Sequence, residues 1–153
     1  MAFQRIFLAH TAKNRSPEDG HPLSRHLSDT ARRARAFAAV FEAASMAGAG
    51  ALLHDAGKFR EAFQVYLQDG GPSAEHSVCG ALMALDRYAP PIARILAYVI
   101  AGHHAGLPNG GTERDSDLDA RLQRGGATLE DMAPWPEDLP WPIPEWPRRL
   151  MGL

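Results

Sequence analysis

The residues equipped for chemistry in this chain are its histidines and one neighbouring aspartate. His103 and His104 end a segment whose preceding turns are apolar. Ile92, Leu96 and Val99 share a helical stripe with His103, and Ala93, Ala97 and Ile100 share the adjacent stripe with His104. One buried imidazole is satisfied by a hydrogen bond, but two in succession need several partners, and a metal supplies them. His54-Asp55 closes another apolar run, Ala51-Leu52-Leu53, in the same manner. A carboxylate at a helix C-terminus opposes the macrodipole, and a nearby cation reverses that penalty. Lys58 is a candidate partner for Asp55 that needs no metal. His26 falls beside a stripe containing Leu27, and His76 falls where a further helix is expected to start. His26, His54, Asp55, His76, His103 and His104 together offer five imidazoles and a carboxylate able to bridge two ions. Nitrogen and oxygen donors without thiolate favour Mn, Fe, Co, Ni or Zn over Mg or Ca. Structural zinc needs only four ligands, usually with cysteine, so the surplus points to catalysis.

These residues must be carried by helices. The spacing of Leu27, Ala31, Ala34, Ala38 and Phe41 predicts a first helix over about Leu23 to Ala44, with those residues on its buried face. A second helix is expected from about Met46 to Ala56, ended by Gly57. A third covers about Phe59 to Leu67, stopped by Asp69-Gly70-Gly71-Pro72. Ser73 offers an N-cap for a fourth, running to about Tyr88 with His76 in its first turn. The fifth follows Ala89-Pro90-Pro91 and reaches His104, with Gly106 as its cap. No alternating strand pattern is present. The expected fold is all-α, a compact bundle of about five helices in a single domain over residues 1–153. Its helical core spans about residues 22–106, and residues 107–153 form an irregular tail holding seven of the twelve prolines and all three tryptophans.

Composition narrows the class. At 45% hydrophobic and 22% charged residues the chain reads as a globular domain, and no apolar run approaches the length of a membrane span. The N-terminus lacks the basic-then-apolar pattern of a secretory signal. The single cysteine, Cys79, excludes an internal disulfide, suits a reducing cytoplasm, and reads as a packed core thiol. A net charge of −2 argues against duplex DNA binding by overall electrostatics, so a nucleic-acid substrate would be held by local patches or through a partner. The basic clusters Arg32, Arg33, Arg35 and Arg148-Arg149 read as solvated faces.

The run Gly50-Ala51-Leu52-Leu53-His54-Asp55-Ala56-Gly57-Lys58-Phe59 resembles the signature of the HD phosphohydrolase superfamily. Ala9-His10-Thr11 and Pro22-Leu23-Ser24-Arg25-His26-Leu27 precede it, and Glu75-His76-Ser77 and Ile100-Ala101-Gly102-His103-His104-Ala105-Gly106-Leu107-Pro108 follow it. Together they resemble the HD nuclease domain of type I CRISPR interference, over about residues 7–110. The resemblance implies an all-α HD fold that cleaves single-stranded DNA in antiviral defence. It implies two divalent transition-metal ions, Mn, Fe, Co or Ni ahead of Zn or Mg. His26, His54 and Asp55 would hold one ion. Asp55 would bridge to a second held by His76, His103 and His104. Asp55 and Lys58 would be the catalytic pair, Lys58 offsetting charge that develops on the phosphate. His10 would stand behind the ligands and orient them. The implied partners are the interference helicase and the CRISPR surveillance complex.

One departure stands out. The family carries a further aspartate on a helix well beyond the paired histidines, and Asp115, Asp117 and Asp119 lie too close to them to replace it. The chain is therefore expected to be a truncated or naturally shortened form. Two alternatives accompany the nuclease reading: an HD hydrolase of nucleotides, with a closed pocket, and an inactive HD docking module. The tail bears on the second, since Trp135-Pro136, Trp141-Pro142 and Trp146-Pro147 are suited to anchoring a partner or stacking bases. The simpler expectation is that the tail wraps the bundle and its indoles cover apolar surface.

Overall fold

A computed structural model of the chain describes residues 6–11, 20–110, 117–126 and 128–147. Asp115 and Arg148-Arg149 lie outside them. Six α-helices are present among the described residues: α1 (Leu23–Ala38), α2 (Ala44–Leu53), α3 (Glu61–Asp69), α4 (Cys79–Arg87), α5 (Ile92–Gly102) and α6 (Leu118–Arg124). Three 3₁₀ turns, Ala39–Phe41, Ala56–Phe59 and Leu129–Asp131, lie between or beyond them, and no strand is formed among the described residues. The fold is an all-α HD-type bundle.

Helix α2 is the axis of the bundle. Its sequence, ASMAGAGALL, presents little but Ala and Gly, so helices can approach it from several sides. Helix α1 lies along it through Leu23, Leu27 and Ala31, which join Leu52, Phe59 and Leu139 in one core cluster. Helices α4 and α5 pair with each other and close the other side. There Ala81, Ala84, Leu96, Ala97 and Ile100 surround Leu53. Each fully buried Leu or Ile in these clusters stabilises the fold by roughly 1.5–3 kcal/mol. This packing fixes the end of α2, and therefore His54-Asp55, at the centre of the molecule.

Several boundaries differ from the sequence expectation, each for a tertiary reason. Helix α1 stops at Ala38, and Glu42 adopts a left-handed φ of 59° that turns the chain into α2. Phe41, expected on the buried face, is consequently 70% exposed. Val99 is likewise exposed, because α5 buries the stripe of Ala93, Ala97 and Ile100 together with Leu96. Helix α4 begins at Cys79, so His76 precedes it. A side chain on Gly57 would collide with the backbone of His76, and one on Gly80 with the carbonyl of Leu53. Residues 74–78 are thus laid against the 3₁₀ turn instead of coiling. The segment after residue 106 contains α6, anchored by the fully buried Leu118. Its remainder wraps the bundle. Trp135 and Trp141 pack on the core, Trp135 Nε1 donates to the Leu139 carbonyl at 2.9 Å, and Tyr88 Oη donates to that of Pro142 at 2.6 Å.

Candidate metal centre

The site forms where the ends of α2 and α5 meet the middle of the first turns of α1 and the segment before α4. Asp55, just past α2, is 3% exposed and lies at its centre. Its Oδ2 is 3.2 Å from His26 Nε2, 3.2 Å from His54 Nε2 and 2.8 Å from Lys58 Nζ. Its Oδ1 is 3.5 Å from both His76 Nε2 and His103 Nε2. The two carboxylate oxygens thus face two donor groups: His26, His54 and Asp55 in one, Asp55, His76, His103 and His104 in the other, with donor atoms within 4.8 Å of one another in each.

Short backbone bonds decide which imidazole nitrogen faces inward. His54 Nδ1 is 2.7 Å from the Ala51 carbonyl, and His103 Nδ1 is 2.6 Å from that of Ile100. An N–H on Nδ1 satisfies each carbonyl and leaves the Nε2 lone pair directed at Asp55, the arrangement typical of a metal-ligating histidine. A lone pair opposite a carboxylate oxygen is repulsive unless a proton or cation lies between. His76 Nε2 and His104 Nε2 face each other at 2.9 Å and pose the same requirement. His26 Nε2 and Asp55 Oδ1 are buried without a hydrogen bond. These donors fit divalent transition-metal ions, which accept imidazole and carboxylate together.

The electrostatics run the same way. Burial lowers the pKa of His26, partly offset by the Asp55 carboxylate, and burial likewise lowers those of His76 and His104. His10 is lowered by burial and then by Lys58. His103 moves up: burial opposes protonation, but hydrogen bonding to Asp55 and to the Ile100 carbonyl outweighs it. Burial also opposes ionisation of Asp55, yet His103, His54 and Lys58 close around its carboxyl and hold it far below the usual range. Neutral imidazoles and an ionised carboxylate are the forms that bind metal; His26, His76, His104 and Asp55 are biased toward them, whereas His103 must give up a proton to ligate.

All six sequence-predicted donors converge here. Lys58 is 6% exposed and spends its ammonium on Asp55 and on the Ala9 carbonyl at 3.0 Å. His10 stands exposed at the rim, its ring centroid 5.1 Å from that of His26. His21, which sequence reasoning passed over, is also at the rim, 5.7 Å from His26. Its signal was its place immediately before Pro22 at the entry to α1. Asp117 is buried at the start of α6, Asp119 pairs with Arg94 at 3.8 Å, and neither belongs to a donor group. Cys79 is a packed thiol, pushed up to about 11 by burial. The clustered arginines of α1 are exposed, with Arg32 paired to Asp29 at 2.8 Å.

Comparison with curated proteins finds no match. The family model described as Cas3, HD domain, matches residues 11–146. That span takes in the α1, α2, α4 and α5 ends which carry the donors, and the chain belongs to this family of Cas3 HD domains, metal-dependent nucleases of the HD superfamily.

Proposed function

We propose that this chain hydrolyses phosphodiester bonds of single-stranded DNA in CRISPR interference, with two divalent transition-metal ions, Mn, Fe, Co or Ni. One is held by His26, His54 and Asp55, the other by Asp55, His76, His103 and His104. The observation that carries the reading is Asp55, whose two oxygens face two separate groups of inward-aimed imidazoles. When bound, such ions offset charge on the scissile phosphate and lower the pKa of water. The chain's own residues hold the donors still. The Ala51 and Ile100 carbonyls fix His54 and His103 in the ligating tautomer. Lys58 acts through Asp55: with its side chain 7% exposed and two hydrogen bonds made inside, it orients and ionises the carboxylate instead of touching substrate. Exposed His10, His21 and His104 leave the rim open to solvent, which suits a polymer better than an enclosed nucleotide. The interference helicase and surveillance complex are the proposed partners, on family grounds.

Incubation with manganese and circular single-stranded DNA, beside a panel of nucleotides, tests the reading. Cleavage of the circle without turnover of nucleotides is expected. Asp55→Ala should lower both metal binding and cleavage by at least about a thousandfold while helicity persists, since it removes the shared ligand. Undiminished cleavage by that variant would sink the assignment.

A further inference from the structure

The first donor group holds three protein ligands, whereas the second holds four with Asp55 shared. Among the described residues no other carboxylate joins the first group: Asp117 is buried at the start of α6, and Asp119 pairs with Arg94. On the open side of His26 stands His10, edge-on to its ring at 5.1 Å and 84°.

The backbone beneath His10 is held with unusual thoroughness for an N-terminal segment. Gln64, 1% exposed, accepts from Leu8 N at 2.9 Å and donates to the carbonyls of Leu8 and Lys58 at 3.0 and 2.8 Å. Lys58 Nζ bonds the Ala9 carbonyl and Asp55 at once. Ala9 N donates to the His21 carbonyl at 2.9 Å, and Leu23 N to that of Phe7 at 2.8 Å. The same ammonium that orients the bridging carboxylate therefore ties down the peptide next to His10. Two buried polar side chains spent on positioning one short segment imply that its placement matters, because burying such groups is unfavourable unless fully satisfied. The only metal-ligating side chain that this segment presents beside the donors is His10.

We propose that His10 supplies a fourth protein donor to the ion held by His26, His54 and Asp55. The inference rests on the metal-centre reading above. The ring nitrogens of His10 stand outside the three-donor group, but the residue is exposed, and an exposed side chain turns between rotamers on the picosecond to nanosecond scale. The fixed backbone keeps the ring beside His26 throughout. A third imidazole makes the site softer without adding negative charge, which shifts its preference within Mn, Fe, Co and Ni toward the later members.

The test uses the whole chain, stripped of metal and titrated with cobalt(II), with X-ray absorption used to count imidazoles on the metal. His10→Ala should reduce the average imidazole count and weaken one class of site by about a hundredfold or more, beyond the 10–100-fold typical of a residue that only orients a ligand. His21→Ala should change neither. An unchanged count in His10→Ala, with any loss of affinity, would reduce His10 to a packing neighbour of His26 and overturn the proposal. So would a loss that follows His21→Ala instead. Asp55→Ala separates the two levels: if it retains wild-type cobalt binding, the metal centre itself is misassigned, whatever His10 does.

Discussion

Gln64→Leu should destabilise the chain far more than its position on a short amphipathic helix suggests. The substitution nearly conserves volume in a site that is 1% exposed, so packing loss is small. What disappears is three short hydrogen bonds, from Leu8 N and to the Leu8 and Lys58 carbonyls, and a long one from Gln68 Nε2 at 3.5 Å. Each is worth about 1 kcal/mol net, and an orphaned buried donor costs about 1–3 kcal/mol. The total is about 4–6 kcal/mol, which lowers Tm by roughly 8–24 °C for a domain of this size. Urea unfolding followed by tryptophan fluorescence reads it, because Trp135 lies edge-on to Phe59 of the adjoining 3₁₀ turn at 5.9 Å. A loss below about 1 kcal/mol would refute the claim that Gln64 clamps the N-terminal segment.

Gln64→Glu sharpens the same test through pH. One carboxylate oxygen can still accept from Leu8 N, but the other would face two carbonyl oxygens that now receive the amide N–H bonds. The ionised form is therefore repelled, and the folded-state pKa of the introduced carboxyl is raised above its unfolded value of about 4.3. Its stability contribution is present below the unfolded pKa and lost as pH rises through the folded one. Relative to wild type, Gln64→Glu should be the weaker of the two variants at pH 7 and recover toward pH 5. A pH-independent difference would mean that the amide nitrogen does not point at those carbonyls.

Gly57→Ala would drive a methyl group into the backbone of His76, so metal titration should show the His76–His104 half weakened ahead of the His26–His54 half, at a cost of about 1–3 kcal/mol in stability. Tyr88→Phe should cost about 1 kcal/mol by removing the bond to Pro142, as measured by thermal melting. Burial raises Tyr88 to about 12, so wild-type stability present below pH 10 should fall between pH 10 and 12, and the phenylalanine variant should lose that part of the alkaline dependence.

The site was legible because its donors end apolar runs, where a polar residue has no ordinary reason to be. His54-Asp55 and His103-His104 sit at such ends, and the structure brings them together with His26 and His76. What could not be read were contacts between residues far apart in sequence. Gln64 sits in EAFQVYLQD among residues that alternate between buried and exposed, and nothing local marks it as a core residue. Its partner Leu8 is 56 residues away. The expected fourth helix had a good cap in Ser73, but the close approach of Gly57 to His76 overrode that local preference. Phe41 followed the helical period on paper, yet the left-handed Glu42 ended the helix before the period could apply. Helix α6 is seven residues long, below the length at which a hydrophobic period declares itself.

The charge of the donor set explains how an acidic chain can act on phosphate. Asp55 and Lys58 form a buried pair that is neutral as a unit. Burial keeps His26, His76 and His104 from carrying charge of their own at neutral pH. On the two-ion reading, neutral imidazoles offset none of the charge that the ions would bring, and the one carboxylate is already balanced by Lys58. The loaded centre remains strongly positive in a molecule whose net charge is −2. On the proposed function, that excess would attract and hold a phosphodiester without a general basic surface.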